Sequence, residues 1–231
     1  MRFLPAFGIV CVASLAAAAE PSLLERQLAV LENLIAVTPD GAPDKPDLLF
    51  RAASLDAELA AEYAQRGSQA ERDRRRARAI DRYRAITDNP VYRSYARMDQ
   101  VLFYLAYELF QAHQADAARD RLERLIHDYP RSKFLPDAHL AIAEDFFERN
   151  DLDDAERYYL KVEQFIDSRV YHYARYKHAW VYFNRDQLND ALIAFRAVER
   201  DARDAKLASE AAKDAAMVER ALASRSRSGA R

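Results

Sequence analysis

The residues best suited to hold a metal or carry a proton are five histidines, His113, His127, His139, His172 and His178. They are scattered. Glu123 and His127 share a helix face, and Asp137 lies near His139, but no His-Glu-x-x-His or comparable triad occurs. The acidic pairs Glu144-Asp145 and Asp153-Asp154 fit helix starts and solvent faces, where carboxylates complement the helix dipole. A peptidoglycan-processing reaction would need two carboxylates converging in one cleft, and no such pair can be named from spacing. The four glycines, Gly8, Gly41, Gly67 and Gly229, stand far apart, so a phosphate-cradling loop or dinucleotide turn is excluded. The run Arg72-Asp-Arg-Arg-Arg-Ala-Arg78 shares its helix with Ala77, Ala79 and Ile80. It is read as a solvated face, with a docking patch for an acidic partner or peptidoglycan as the alternative. Nucleophile, base and orienter nowhere come together, so the chain is read as no enzyme, with no cofactor and no metal.

What must position any remaining activity is helical. Half of the 231 residues are hydrophobic and 31% are charged, with abundant Ala, Leu, Arg, Glu and Asp, which describes a soluble helical chain. Its start differs. Arg2, the apolar run Phe3 to Leu15 and Ala16-Ala17-Ala18-Ala19 follow the order of a secretory signal peptide, predicting cleavage after Ala19 and an exported, periplasmic protein. Val10 stands before Cys11 where lipoprotein signals place Gly, Ala or Ser, so cleavage is expected rather than lipid anchoring; lipidation at Cys11 and an uncleaved anchor are the alternatives. Removal of Arg2 leaves 34 basic against 37 acidic side chains and no cysteine. A chain so near neutrality is poorly suited to nucleic acid or to direct membrane binding.

Prolines and apolar periodicity divide the rest. Leu24, Leu28, Leu31 and Ile35 form one stripe on a helix over 22–37, read as a cap on the next element, with an oligomerisation zipper as the alternative. Residues 20–45 are this helix and a linker. Three segments then superimpose, 99–130, 136–167 and 172–199, each a helical stretch, a short polar turn and a second helical stretch. Ala106, Ala143 and Ala179 anchor the first helices, followed by Leu109, Phe146 and Tyr182. Ala118, Ala155 and Ala191, successively 37 and 36 residues apart, anchor the second helices. Leu122, Tyr159 and Phe195, then Leu125, Val162 and Val198, complete them. A looser unit comes first, with Leu49 and Ala53, then Ala79, Tyr83 and Ile86; its connection near 66–72 is longer or more helical than a tight turn. The repeats thus occupy 46–200, a capping helix 201–223, and a polar tail, 224–231, is expected to be disordered.

This pattern of small residue, large residue, Ala and closing Pro130 resembles the tetratricopeptide repeat (TPR). The resemblance implies an all-α, right-handed solenoid of about four antiparallel helix hairpins, the first degenerate, with capping helices at both ends. The stretches PDLLFRAASL, VLFYLAYELF, YPRSKFLPDAHLAIAEDFF and YARYKHAWVYFN are similar to TPR proteins tied to adventurous gliding motility. More distantly they resemble the outer-membrane assembly factor BamD and the cell-division coordinator CpoB. These resemblances imply a non-enzymatic periplasmic scaffold that binds protein or peptide segments of a cell-envelope complex. A peptidoglycan-associated protein or a self-assembling structural element is the alternative.

TPR register also implies which residues line the concave groove, since positions two, five, nine and twelve of each first helix face inward. The rule selects Phe103, Tyr107 and Phe110 with Gln100; then Leu140, Glu144 and Phe147 with Asp137; then Tyr173, Tyr176, Trp180 and Phe183. An aromatic wall of this kind suits an amphipathic helix or an extended apolar peptide. Phe103, Leu140 and Tyr176 stand where carboxylate-clamp TPRs place Lys and Asn, so that activity is not implied.

Overall fold

The computed structural model describes residues 20–229, with side chains to Arg227; the expected signal peptide at 1–19 lies outside the described residues, as do Ala230 and Arg231. Among the described residues there are ten α-helices and no strands. α1 (Leu23–Val37) leads into four hairpins: α2 (Lys45–Gln65) with α3 (Gln69–Thr87), α4 (Met98–Gln111) with α5 (Ala115–Asp128), α6 (Leu135–Glu148) with α7 (Leu152–Val162), and α8 (Tyr171–Asn184) with α9 (Leu188–Asp201). α10 (Ala205–Gly229) closes the row. Each helix packs on its neighbours in sequence, as expected of a quasi-one-dimensional stack.

The small-residue register explains that stacking. Ala106, Ala143, Ala179, Ala118, Ala155 and Ala191 are all fully buried, so paired helices approach closely where they cross. Leu109, Leu122, Leu125, Tyr159, Phe195 and Val198 fill the spaces between. One continuous core runs from Leu49 in α2 to Val181 in α8. Two smaller cores lie at the ends, one between α1 and α2 and one joining α8, α9 and α10.

All four hairpin turns use one device. Gly67, His113, Asn150 and Asp186 have φ of 75°, 57°, 59° and 64°. The amide after each reaches back to a carbonyl five residues earlier: Ser68 to Tyr63, Gln114 to Leu109, Asp151 to Phe146 and Gln187 to Tyr182, each at 2.9 Å. This is the Schellman ending of a helix, for which glycine is the usual left-handed residue. The degenerate unit differs through its helices, since α2 has 21 residues and α3 has 19, joined by Arg66–Ser68 alone. The connections between repeats are also built alike. Ser132 and Ser168 accept from the amides of Phe134 and Val170, 3.1 and 3.2 Å away.

Two expectations need correction. Of the tail expected to be disordered, 224–229 is helical, because α10 continues to Gly229. Hydroxyls of Ser224 and Ser226 donate to Ala221 and Leu222 carbonyls, and Arg225 makes paired contacts with Asp186 of the last hairpin turn. The arginine run is not a solvated face either. Arg75, Arg78 and Arg82 of α3 converge on Asp56 of α2, which is fully buried. Arg78 and Arg82 also hold Glu32 of α1, while Arg76 reaches Glu108 of α4 at 3.1 Å and the Gln111 carbonyl at 3.2 Å. Only Arg72 and Arg74 keep their partners, Asp73 and Glu71, on their own helix.

Candidate protein-binding groove

Helices α4, α6 and α8 carry the residues selected by register, and the structure divides the aromatic ones, together with Leu140 and Glu144, into three groups. Tyr107 stands most open, 54% exposed on α4. It borders a cavity of about 1040 Å³ whose walls include Phe110, Arg72 and Arg76 on one side and Glu144, Asp145 and Glu148 on the other. Phe110 and Leu140 are half-buried against the main core. Phe103 is half-buried and stacks on Phe134 with ring centroids 5.0 Å apart.

The middle group is polar at its centre. Glu144 accepts from the Tyr159 hydroxyl at 2.5 Å and pairs with Lys177 at 3.2 Å. Lys177 in turn lies 4.3 Å from the centroid of Phe147. Tyr173 is 38% exposed; burial, with Glu144 close by, pushes its phenol up to about 12. It therefore remains a neutral hydrogen-bonding ring across physiological pH. Asp145 is held by Arg119 and, at 3.6 Å, by Arg149. The charges at this cavity are thus largely neutralised by their neighbours.

The third group is half-buried against the C-terminal end of the molecule. The Tyr176 hydroxyl donates to Asp214 of α10 at 2.7 Å. Trp180 meets Phe183 and Phe195 edge-on at 5.2 and 5.5 Å. All three groove candidates, Tyr176, Trp180 and Phe183, pack on the terminal core shared with α9 and α10. The capping helix thus takes up part of the ring surface that register assigns to the groove on α8. Register assigns the face of a helix; it does not say where the cap will lie.

Register also misses Tyr104, which is 37% exposed and sits between Phe50 and Phe134, 6.0 and 6.2 Å from their centroids. The signal was available, because Tyr104 follows Phe103 directly and stands about 100° further round the helix, toward α2. Phe134 lies at the inter-repeat connection, outside the inward positions of any helix. Among the described residues no group of three or more His, Cys, Asp or Glu is placed to hold a metal ion. None of the described helices is long and apolar enough to cross a membrane.

No protein-family model matches the sequence, and no curated protein matches it. Among solved structures, the chain is similar to the nearly identical TPR-like repeats of a Podosopora anserina kinesin light chain candidate. The TM-score is 0.53 at 13% identity, covering 76% of this chain and 84% of that one. A likeness at that identity is one of fold: the chain is a TPR-like helical solenoid.

Proposed function

We propose that this chain is a non-enzymatic periplasmic scaffold that holds a protein segment of a cell-envelope complex against α4, α6 and α8. The observation that carries this reading is Tyr107, 54% exposed at the edge of the cavity of about 1040 Å³, with Tyr104 on the same helix and Tyr173 on α8 also open to solvent. Tyrosine offers a large contact area with few rotatable bonds, and its hydroxyl serves a partner's backbone. Glu144 and Asp145, the carboxylates nearest to forming a reactive pair, are committed to Lys177, Tyr159 and Arg119, which favours binding over hydrolysis. The periplasmic address rests on the export grammar of residues 1–19, and a motility or outer-membrane assembly complex is the context suggested by the resemblance of its repeats.

Cross-linking in cells followed by partner identification tests the reading. Tyr104→Ala combined with Tyr107→Ala is expected to lower recovery of the cross-linked partner at least tenfold, the scale of two aromatic anchors. Helix content and thermal midpoint should change little, because both rings are partly solvent-exposed. Undiminished recovery with the double variant would remove the groove assignment.

A further inference from the structure

The end faces of the solenoid are unequal. At the C-terminal end, α10 turns Lys206, Ser209, Lys213, Glu219 and Arg220 to solvent, as a terminal cap should. At the N-terminal end the stripe Leu24, Leu28, Leu31 and Ile35 is consumed against α2. A second stripe, Leu23, Val30, Leu34 and Val37, is left in water, 63%, 60%, 45% and 78% exposed. At ~100° per residue these four fall within about 60° of one another on the helix. The acids of α1 are drawn away from this face: Glu25 is held by Tyr63 and Arg75, and Glu32 by Arg78 and Arg82. Arg26 is the one charged residue of α1 left facing outward.

We propose that two copies of this chain associate through these outer faces, with their α1 helices antiparallel about a two-fold axis at Val30. Three observations select a second copy as the occupant. The spacing is self-complementary, because with Val30 on the axis Leu23 of each copy faces Val37 of the other, and Gln27 faces Asn33. Along α1 the one outward charge is not set against its own counterpart, since Arg26 of each copy lies beside Leu34 of the other. Head-to-tail stacking would press this apolar face onto the polar face of α10, so a closed, isologous contact is the arrangement that buries it. An apolar groove of about 510 Å³, lined in part by Val30, Leu31, Phe50 and Leu55, adjoins the stripe and gives the facing helix a seat. The four side chains present roughly 400 Å² per copy, the size of the largest apolar patch on an ordinary monomer and below the ~800 Å² per partner of a tight complex. The association is therefore expected to be weak and reversible.

Sedimentation velocity between ~1 and ~200 μM protein tests this. The expected result is a concentration-dependent monomer–dimer equilibrium. Val30→Glu combined with Leu34→Glu should weaken it at least 30-fold while helix content and thermal midpoint hold, since both positions are exposed. Ile193→Glu, on an isolated exposed residue of α9, should leave the equilibrium unchanged. A strict monomer across the whole range overturns the proposal, whether the stripe is bare or covered by residues 1–19. A dimer indifferent to the double substitution overturns it as well.

Discussion

Two buried histidines make stability depend on pH in opposite senses. His139 packs between Tyr158 and Phe165 with its Nδ1 lacking a hydrogen-bond partner. Burial, aided by Lys161, brings its pKa down to about 4. The folded protein keeps it neutral while the unfolded chain takes up a proton near the ordinary value of about 6.5. Its contribution is complete above that value and is lost as pH falls toward 4, at a cost of about 3 kcal/mol. His178 behaves in reverse. Burial opposes its protonation, but Glu163 at 2.8 Å on Nδ1 and Glu156 at 3.2 Å on Nε2 outweigh it and raise the pKa. That contribution is complete below about 6.5 and is lost as pH rises through the elevated value. Urea unfolding from pH 4.5 to 8.5 should show His139→Phe gaining on the parent protein toward acid. His178→Gln should fall furthest behind below pH 6.5 and close the gap toward alkaline pH. A His139→Phe difference that stayed constant across the range would contradict this account. Asp56 shows a related conflict: burial raises its carboxyl despite Arg82, Arg78 and Arg75, so the cluster fixes how α1, α2 and α3 meet more than it adds stability.

Much of the element level was legible, for a physical reason. Ala106, Ala143 and Ala179 recur because a helix crossing tolerates only a small side chain, and such constraints leave periodic traces in sequence. The turns were harder to read. Sequence reasoning looks for glycine where φ must be positive, whereas three of the four turns use His113, Asn150 and Asp186. This accounts for ten helices among the described residues with so few glycines. Their spacing of 37 and 36 residues matches that of the second-helix alanines, so the turn position could have been found from the repeat register. His113 is the least natural of the three, since Asn and Asp tolerate the left-handed region better than other side chains with a Cβ. His113→Gly is therefore expected to raise stability by roughly 0.5–1 kcal/mol, measured by urea unfolding at pH 7, while Asn150→Gly gains less. The helical tail and the arginine network were illegible because their partners, Asp186 and Asp56, lie 39 and 19 residues or more away in sequence. A locally polar segment was read as a solvated one. The engagement of Tyr176 was hidden for the same reason, since its partner Asp214 lies 38 residues downstream.

At the scale of the whole molecule, the distribution of core predicts where the solenoid opens first. Contacts run between sequence neighbours, so stability is a sum over hairpins and the interfaces between them. The continuous core spans α2 to α8 and is fullest around α4 to α7, where Leu102, Leu105, Leu109, Leu122, Leu125, Ile142 and Tyr159 are all excluded from solvent. Helix α8 divides its loyalty: Ala174 and Val181 belong to that core, whereas Ala179 belongs to the small terminal one with Phe195, Ala215 and Val218. Helix α1 rests on a smaller cluster still, Leu28 with Ala52 and Leu59, supplemented by ion pairs to α3. Native-state hydrogen exchange should therefore resolve a ladder. The amides of α4 to α7 should exchange only through global unfolding, those of α9 and α10 through a smaller opening, and those of α1 most readily. The same ladder bears on binding. The open tyrosines of α4 stand on the most protected segment and present a rigid surface, whereas Tyr176 and Trp180, half-buried against the terminal core, expose more of their rings when α10 lifts. Uniform protection from α1 to α10 would show that the three cores unfold as one unit and that no local opening of α10 adds to the exposure of Tyr176 and Trp180.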